Sequence, residues 1–213
     1  MSSAYLLIRK DFVLIQKMLL IFIPYYVIMG LFTDATGLTM FALFPAMLLL
    51  VNSCSLDVQH HNLRFVASLP VSRCLVVRAK YLALIPYAVF SIICTLALTF
   101  VAGAIGKEWS LLTWRETVVF AVVFAVLAAI YLPLHYWLGQ KGAQVVNLVF
   151  IMSIMFSASA FANLRNWFPA LDTWMTTGAS GAGIQLVLTV LGCAVVVYAS
   201  YLISLHVYTS KDI

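Results

Sequence analysis

Six apolar runs dominate this sequence, at 18–33, 38–56, 81–105, 116–138, 144–162 and 184–206. Each comes close to or exceeds the roughly 20 residues that a helix needs to cross a hydrocarbon core about 30 Å thick. Runs of this kind leave little choice of fold. In hydrocarbon every backbone N–H and C=O must be satisfied within the protein, which admits only helices or a closed barrel. None of the runs alternates apolar and polar residues over about ten positions, as a barrel strand would. The sequence therefore predicts an all-α polytopic membrane protein, a single transmembrane domain over residues 1–213 with six transmembrane helices. Of its 213 residues 64% are hydrophobic and only 9% charged, against about 25% charged in soluble domains. A soluble fold is excluded, and no stretch remains for a separate soluble domain.

Orientation follows from the Lys and Arg residues, which favour cytoplasmic loops. An N-terminus in the cytoplasm places Arg9, Lys10, Lys17, Arg64, Arg73, Arg78, Lys80, Lys141 and Lys211 inside, and Lys107, Arg115 and Arg165 outside. Both termini are thus expected to be cytoplasmic, in the plasma or inner membrane of a bacterial cell. Ahead of the first run, Tyr5, Ile8, Phe12, Ile15 and Leu19 recur at helical spacing, with Arg9, Lys10, Gln16 and Lys17 on another side. That pattern predicts an interfacial elbow helix, or a basic anchor, lying along the membrane surface. Met18–Phe32 follows these basic residues as a signal-peptide core would, but no small-residue cleavage site comes after it, so the first span is read as retained. The basic residues border the membrane and do not cluster on a soluble face, which argues against nucleic acid as a partner.

The connections differ in character. Thr33–Gly37 is short enough to make the first two spans an antiparallel hairpin. Residues 163–183 hold Trp167, Pro169, Asp172 and Trp174 and are too polar to cross, so a short outer helix or a re-entrant segment is expected there. Pro24, Pro45, Pro86 and Pro133 lie inside spans, where each removes a backbone donor. Cys54, Cys74, Cys94 and Cys193 fall in spans or on the inner side and are read as free structural thiols.

The spans lack the machinery of a self-powered transporter. No Asp, Glu, Lys or Arg sits near the middle of a run, where ion-coupled carriers hold their ionisable groups. Asn52 and Asn147 are read as interhelical hydrogen-bonding residues. A Gly-x-x-x-x-Gly-Lys-Ser/Thr phosphate loop is also missing. Gly178-Ala179-Ser180-Gly181 has the form found around rhomboid-type serine nucleophiles. His206, however, lies 26 residues further along the same helix, roughly 39 Å away at 1.5 Å per residue. Asp57, His60 and His61 supply too few ligands for a fixed metal. Neither cofactor nor catalytic residue is expected, and energy for uphill movement must come from a partner.

The inner connection between the second and third spans, residues 57–80, carries the most specific pattern. An acidic residue, Asp57, closes the second run. It leads to Ser68-Leu69-Pro70-Val71-Ser72-Arg73 and then to Val76-Val77-Arg78-Ala79-Lys80-Tyr81-Leu82. Pro70 fixes a turn or a first helical turn. Leu69, Val71, Leu75 and Val76 form an apolar side, while Arg73, Arg78 and Lys80 suit an acidic surface or lipid phosphates.

With these residues the chain resembles the membrane subunits of type-2 ATP-binding-cassette (ABC) exporters, in particular small six-span permeases of the phenol-soluble-modulin exporter kind. The resemblance implies two permease subunits, identical or related, forming one pathway above separate cytoplasmic ABC ATPase subunits. It also implies a coupling interface for the ATPase built from Asp57, Arg64, Leu69, Pro70, Val71, Ser72, Arg73 and Arg78. The function so implied is ATP-driven export of an amphipathic or hydrophobic substrate such as a peptide, antibiotic or lipid-like molecule. A membrane-embedded immunity or interaction protein that sequesters a peptide without transport is the alternative.

Overall fold

A computed structural model of the chain describes residues 22, 24–26, 38–58, 72–104, 113–167 and 182–210, and every element among them is helical. In chain order they are α1 (Leu38–Val58), α2 (Arg73–Ala104), α3 (Trp114–Trp167) and α4 (Ala182–Ser210). Among the described residues, Cys74–Ala104, Glu116–Gly139 and Val187–Ser210 are long and apolar enough to cross a membrane, and α1 adds the shorter apolar stretch Ala42–Asp57. The all-helical architecture and these spans agree with the sequence pattern. Of the first expected span only Phe22, Pro24, Tyr25 and Tyr26 are described, all of them helical. The interfacial elbow, residues 59–71 of the inner connection and residues 168–181 of the outer segment lie outside the described residues.

Two of these helices start where local chemistry dictates. The Ser72 carbonyl accepts the backbone N–H of Leu75 at 2.9 Å and of Val76 at 3.3 Å, so α2 begins at Arg73, directly after the Leu-Pro-Val stretch. At the start of α3, the Glu116 carboxylate accepts the Thr113 N–H at 2.8 Å while the Thr113 carbonyl accepts the Thr117 N–H at 3.0 Å. This Thr-x-x-Glu arrangement satisfies donors that a helix start otherwise leaves open.

α3 is two arms folded at Gly139, whose φ of 62° and ψ of −156° leave helical space. That combination is accessible essentially to glycine alone. The arms return antiparallel: Tyr131 on the first reaches Asn147 on the second through a 2.6 Å hydrogen bond and meets the Phe150 ring at 5.1 Å. Close to the fold, a Cβ at Gly142 would collide with the Leu138 Cβ. Two glycines thus give the hairpin its tightness.

The bundle is organised for hydrocarbon. Leu43, Met47 and Leu50 of α1, Ala83 and Tyr87 of α2, and Phe120, Phe124, Tyr131 and Leu132 of α3 share one core. Large apolar side chains also cover the outside: Ile85, Ile93 and Phe100 on α2, and Leu188, Leu191 and Val195 on α4. Polar Ser53, Lys80, Ser91, Thr95, Ser200 and Ser204 are turned inward instead. Hydrocarbon imposes this inversion, because it solvates the apolar exterior and has nothing to offer a hydroxyl.

Gly139→Ala places a Cβ on a positive-φ backbone outside the αL region, at the fold of α3. A loss of about 1–3 kcal/mol is expected, read as a lower melting temperature of the purified protein in lipid nanodiscs.

Candidate functional site

Three polar clusters meet at one end of the bundle, where α1 and α4 finish, α2 starts and α3 folds back. The first joins α1 to α2. Lys80 Nζ lies 2.5 Å from Asp57 Oδ2 and donates a second hydrogen bond to Ser53 Oγ, also at 2.5 Å. The Lys80 side chain is 5% exposed and that of Asp57 27%. Lys80 is positioned by helix phase. Val77, Ala79 and Lys80 are buried while Arg78 is exposed, so the same helical turn sends one cation inward and another outward. An ammonium group in such surroundings is stable only with its charge matched and its donors engaged, and Asp57 and Ser53, one turn apart on α1, provide both.

The second cluster joins α1 to both arms of α3. Tyr131 donates to Asn147 Oδ1 at 2.6 Å, Asn147 Nδ2 donates to Ser55 Oγ at 2.6 Å, and Ser55 donates to its own helix at the Val51 carbonyl at 2.8 Å. The chain of bonds has one direction and fixes the Asn147 amide. His135 stacks on the Tyr131 ring at 5.7 Å, and Tyr136 meets Tyr208 of α4 at 5.2 Å.

The third cluster joins α2 to α4. The Tyr81 hydroxyl lies 2.6 Å from Ser200 Oγ and 2.9 Å from Ser204 Oγ, its ring meets Tyr201 edge-on at 5.5 Å, and Cys74 Sγ approaches the Tyr201 hydroxyl at 3.5 Å. Through these contacts every described helix is tied to at least two others.

Of the residues assigned by resemblance to an ATPase interface, Asp57 pairs with Lys80, Ser72 immediately precedes α2 and is exposed, and Arg78 is exposed on the first turns of α2. Arg73 opens α2 as its first residue. Arg64, Leu69, Pro70 and Val71 lie outside the described residues. Lys80, grouped with Arg73 and Arg78 by charge, faces the interior. Sequence reading missed its partnership with Asp57, although an acid and a base closing the two ends of one connection is a legible sign of it. It also missed the Tyr81–Ser200–Ser204 cluster, which no spacing within one helix reveals. Asn147 bridges helices as its residue type suggests, whereas Asn52 bonds within its own helix, to the Leu48 carbonyl at 2.9 Å. Among the described residues no three His, Cys, Asp or Glu side chains gather as metal ligands would.

The arrangement is mechanical in kind. It holds helix ends together around the base of the 58–72 connection. A family profile described as ABC-2 family transporter protein matches residues 6–209, and the chain belongs to that family of membrane transport permeases. No curated protein and no solved structure matches it.

Lys80→Met leaves the Asp57 carboxylate without its cation. A loss of about 2–4 kcal/mol is expected, and adding Asp57→Asn to the same chain should recover at least half of it. Thermal unfolding of the wild type, both single variants and the double variant in nanodiscs checks the pair: a double-variant loss equal to the sum of the single losses would show that the two charges act independently. Asn147→Leu leaves the Tyr131 hydroxyl without its acceptor and removes the tie to Ser55, and a loss of about 1–2 kcal/mol is expected from the two bonds.

Proposed function

We propose that this ABC-2 family member is the membrane-spanning permease subunit of an ATP-driven exporter, coupled to a separate cytoplasmic ATPase. The observation that carries the reading is the family match over nearly the whole chain, residues 6–209. Six spans with both termini in the cytoplasm are part of the proposal. So are the N-terminal elbow, a second permease subunit, identical or related, and a bacterial plasma membrane. The substrate class proposed is amphipathic or hydrophobic.

The mechanism proceeds from the polar end of the bundle. On this topology that end is cytoplasmic, and the connection containing Arg64, Leu69, Pro70 and Val71 joins α1 to α2 there. The Asp57–Lys80 pair closes the base of the connection, so a push on the connection reaches α1 and α2 together. The bond from Asn147 to Ser55 carries displacement of α1 into the folded α3. When the ATPase pair closes on nucleotide, its rigid-body motion would move Leu69–Arg73 and, through these ties, the cytoplasmic ends of the helices. Arg78, exposed close to the start of α2, is available to an acidic surface on the ATPase or to lipid phosphates. An apolar outer surface with its polar groups turned inward gives a greasy substrate a path without charged obstacles.

Coexpression with candidate ABC ATPase subunits tests the reading. The two proteins are expected to co-purify, and replacing Leu69–Arg73 by Gly-Ser residues is expected to abolish membrane-stimulated ATP hydrolysis while the helices still fold. Assembly and hydrolysis unchanged by that replacement would remove the coupling role. For the topology, single cysteines at Ser2 and Lys107 are expected to react with a membrane-impermeant maleimide in intact cells only at Lys107.

A further inference from the structure

Pro133 has no backbone N–H, so the α-helical acceptor four residues earlier, the Ala129 carbonyl, is left without its helical donor. In hydrocarbon a carbonyl in that position must find a substitute within the protein. Ser200 of α4 supplies it, with its Oγ 2.6 Å from the Ala129 oxygen. A serine hydroxyl has one proton to give. Because Ser200 spends it on Ala129, the 2.6 Å contact between Ser200 and Tyr81 is one in which Tyr81 donates. Tyr81 has then used its own proton, so the 2.9 Å contact with Ser204 is one in which Ser204 donates. The bonds run in one direction: Ser204 to Tyr81, Tyr81 to Ser200, Ser200 to the carbonyl that the proline frees. Ser200 and Ser204 are buried, and the chain crosses three helices.

We propose that this hydroxyl chain is a latch on a hinge at Pro133. The first arm of α3 lacks one rung of its hydrogen-bond ladder there, and the latch from α4, backed by α2, holds it in its present course. Tyr81 follows Lys80 directly, so a shift of the α2 start relative to α4 draws the Tyr81 hydroxyl away from the serines. Ser200 then loses the donor that orients it, and the arm is free to bend. The latch belongs to the chain itself and requires no nucleotide and no partner, so its failure would leave the coupling proposal standing.

The test is a double-mutant cycle on the full chain in nanodiscs. Ser200→Ala removes the substitute donor, and Pro133→Ala restores the helical one. Ser200→Ala is expected to lower the melting temperature by roughly 3–6 °C in the wild-type background, and by less than a third of that in the Pro133→Ala background. Spin labels at Ala121 and Trp137, exposed positions on either side of the hinge, give the second readout. Their distance distribution is expected to broaden in Ser200→Ala, to return to wild-type width in Ser200→Thr, which keeps the hydroxyl, and to narrow when Pro133→Ala is added. Equal melting losses in both backgrounds, or an unchanged distribution in Ser200→Ala, would overturn the latch. Should Ser200→Ala fail to accumulate, the Pro133→Ala/Ser200→Ala chain must accumulate, and its failure would overturn the proposal equally.

Discussion

A helix entering hydrocarbon carries its polar side chains into a medium that offers no hydrogen bonds, and each must find a partner within the protein. That constraint organises this bundle. Lys80 turns inward to Asp57 and Ser53, Asn147 spans from Tyr131 to Ser55, and Tyr81 gathers the serines of α4. These bonds gather at one end, so the helices are fastened there while their sides, lined with Ile85, Ile93, Leu188 and Leu191, are left to apolar packing. Individually such bonds contribute little, about 0.6 kcal/mol on average between membrane helices. Their effect lies in what they join: at this end of the bundle the four helices are linked to one another.

The same geometry bears on how a chain with no phosphate loop can serve in a family of membrane transport permeases. The ion pair of Asp57 and Lys80 stands at the base of the connection between α1 and α2. A force applied below that base has a defined route into both helices and, through Ser55 and Asn147, into the hairpin of α3. At Gly139 the backbone has left regular helix, and at Pro133 it lacks one helical hydrogen bond, so the hairpin has places to yield. Fastened ends beside weakened helices suit a structure driven from outside better than one that generates its own energy.

Much of the fold was legible in the sequence, because span length and the absence of alternation admit few architectures. The helices α1, α2 and α4 fall on the apolar runs at 38–56, 81–105 and 184–206, and the two runs at 116–138 and 144–162 are the arms of α3. The start of α2 at Arg73 was less legible, since charged residues extend the helix beyond the apolar run. The Thr113-x-x-Glu116 cap was present in the sequence but masked by its aromatic and charged neighbours, which read as a headgroup boundary. Interhelical partners were the least legible part. Asn147 announces a need for a partner without saying which, and Ser200 and Ser204 look unremarkable until the proline 67 residues earlier in the chain is placed beside them.

The central claim is that the Asp57–Lys80 pair transmits ATPase motion as a joint between α1 and α2. Charge exchange tests it most directly, by measuring ATP hydrolysis of the assembled complex with Lys80→Asp, Asp57→Lys and both together. Each single reversal sets two like charges against each other and should leave an assembled complex whose hydrolysis no longer responds to the membrane subunit. The exchanged pair should regain most of that response. Full response in either single reversal, or none in the exchanged pair, would contradict the account.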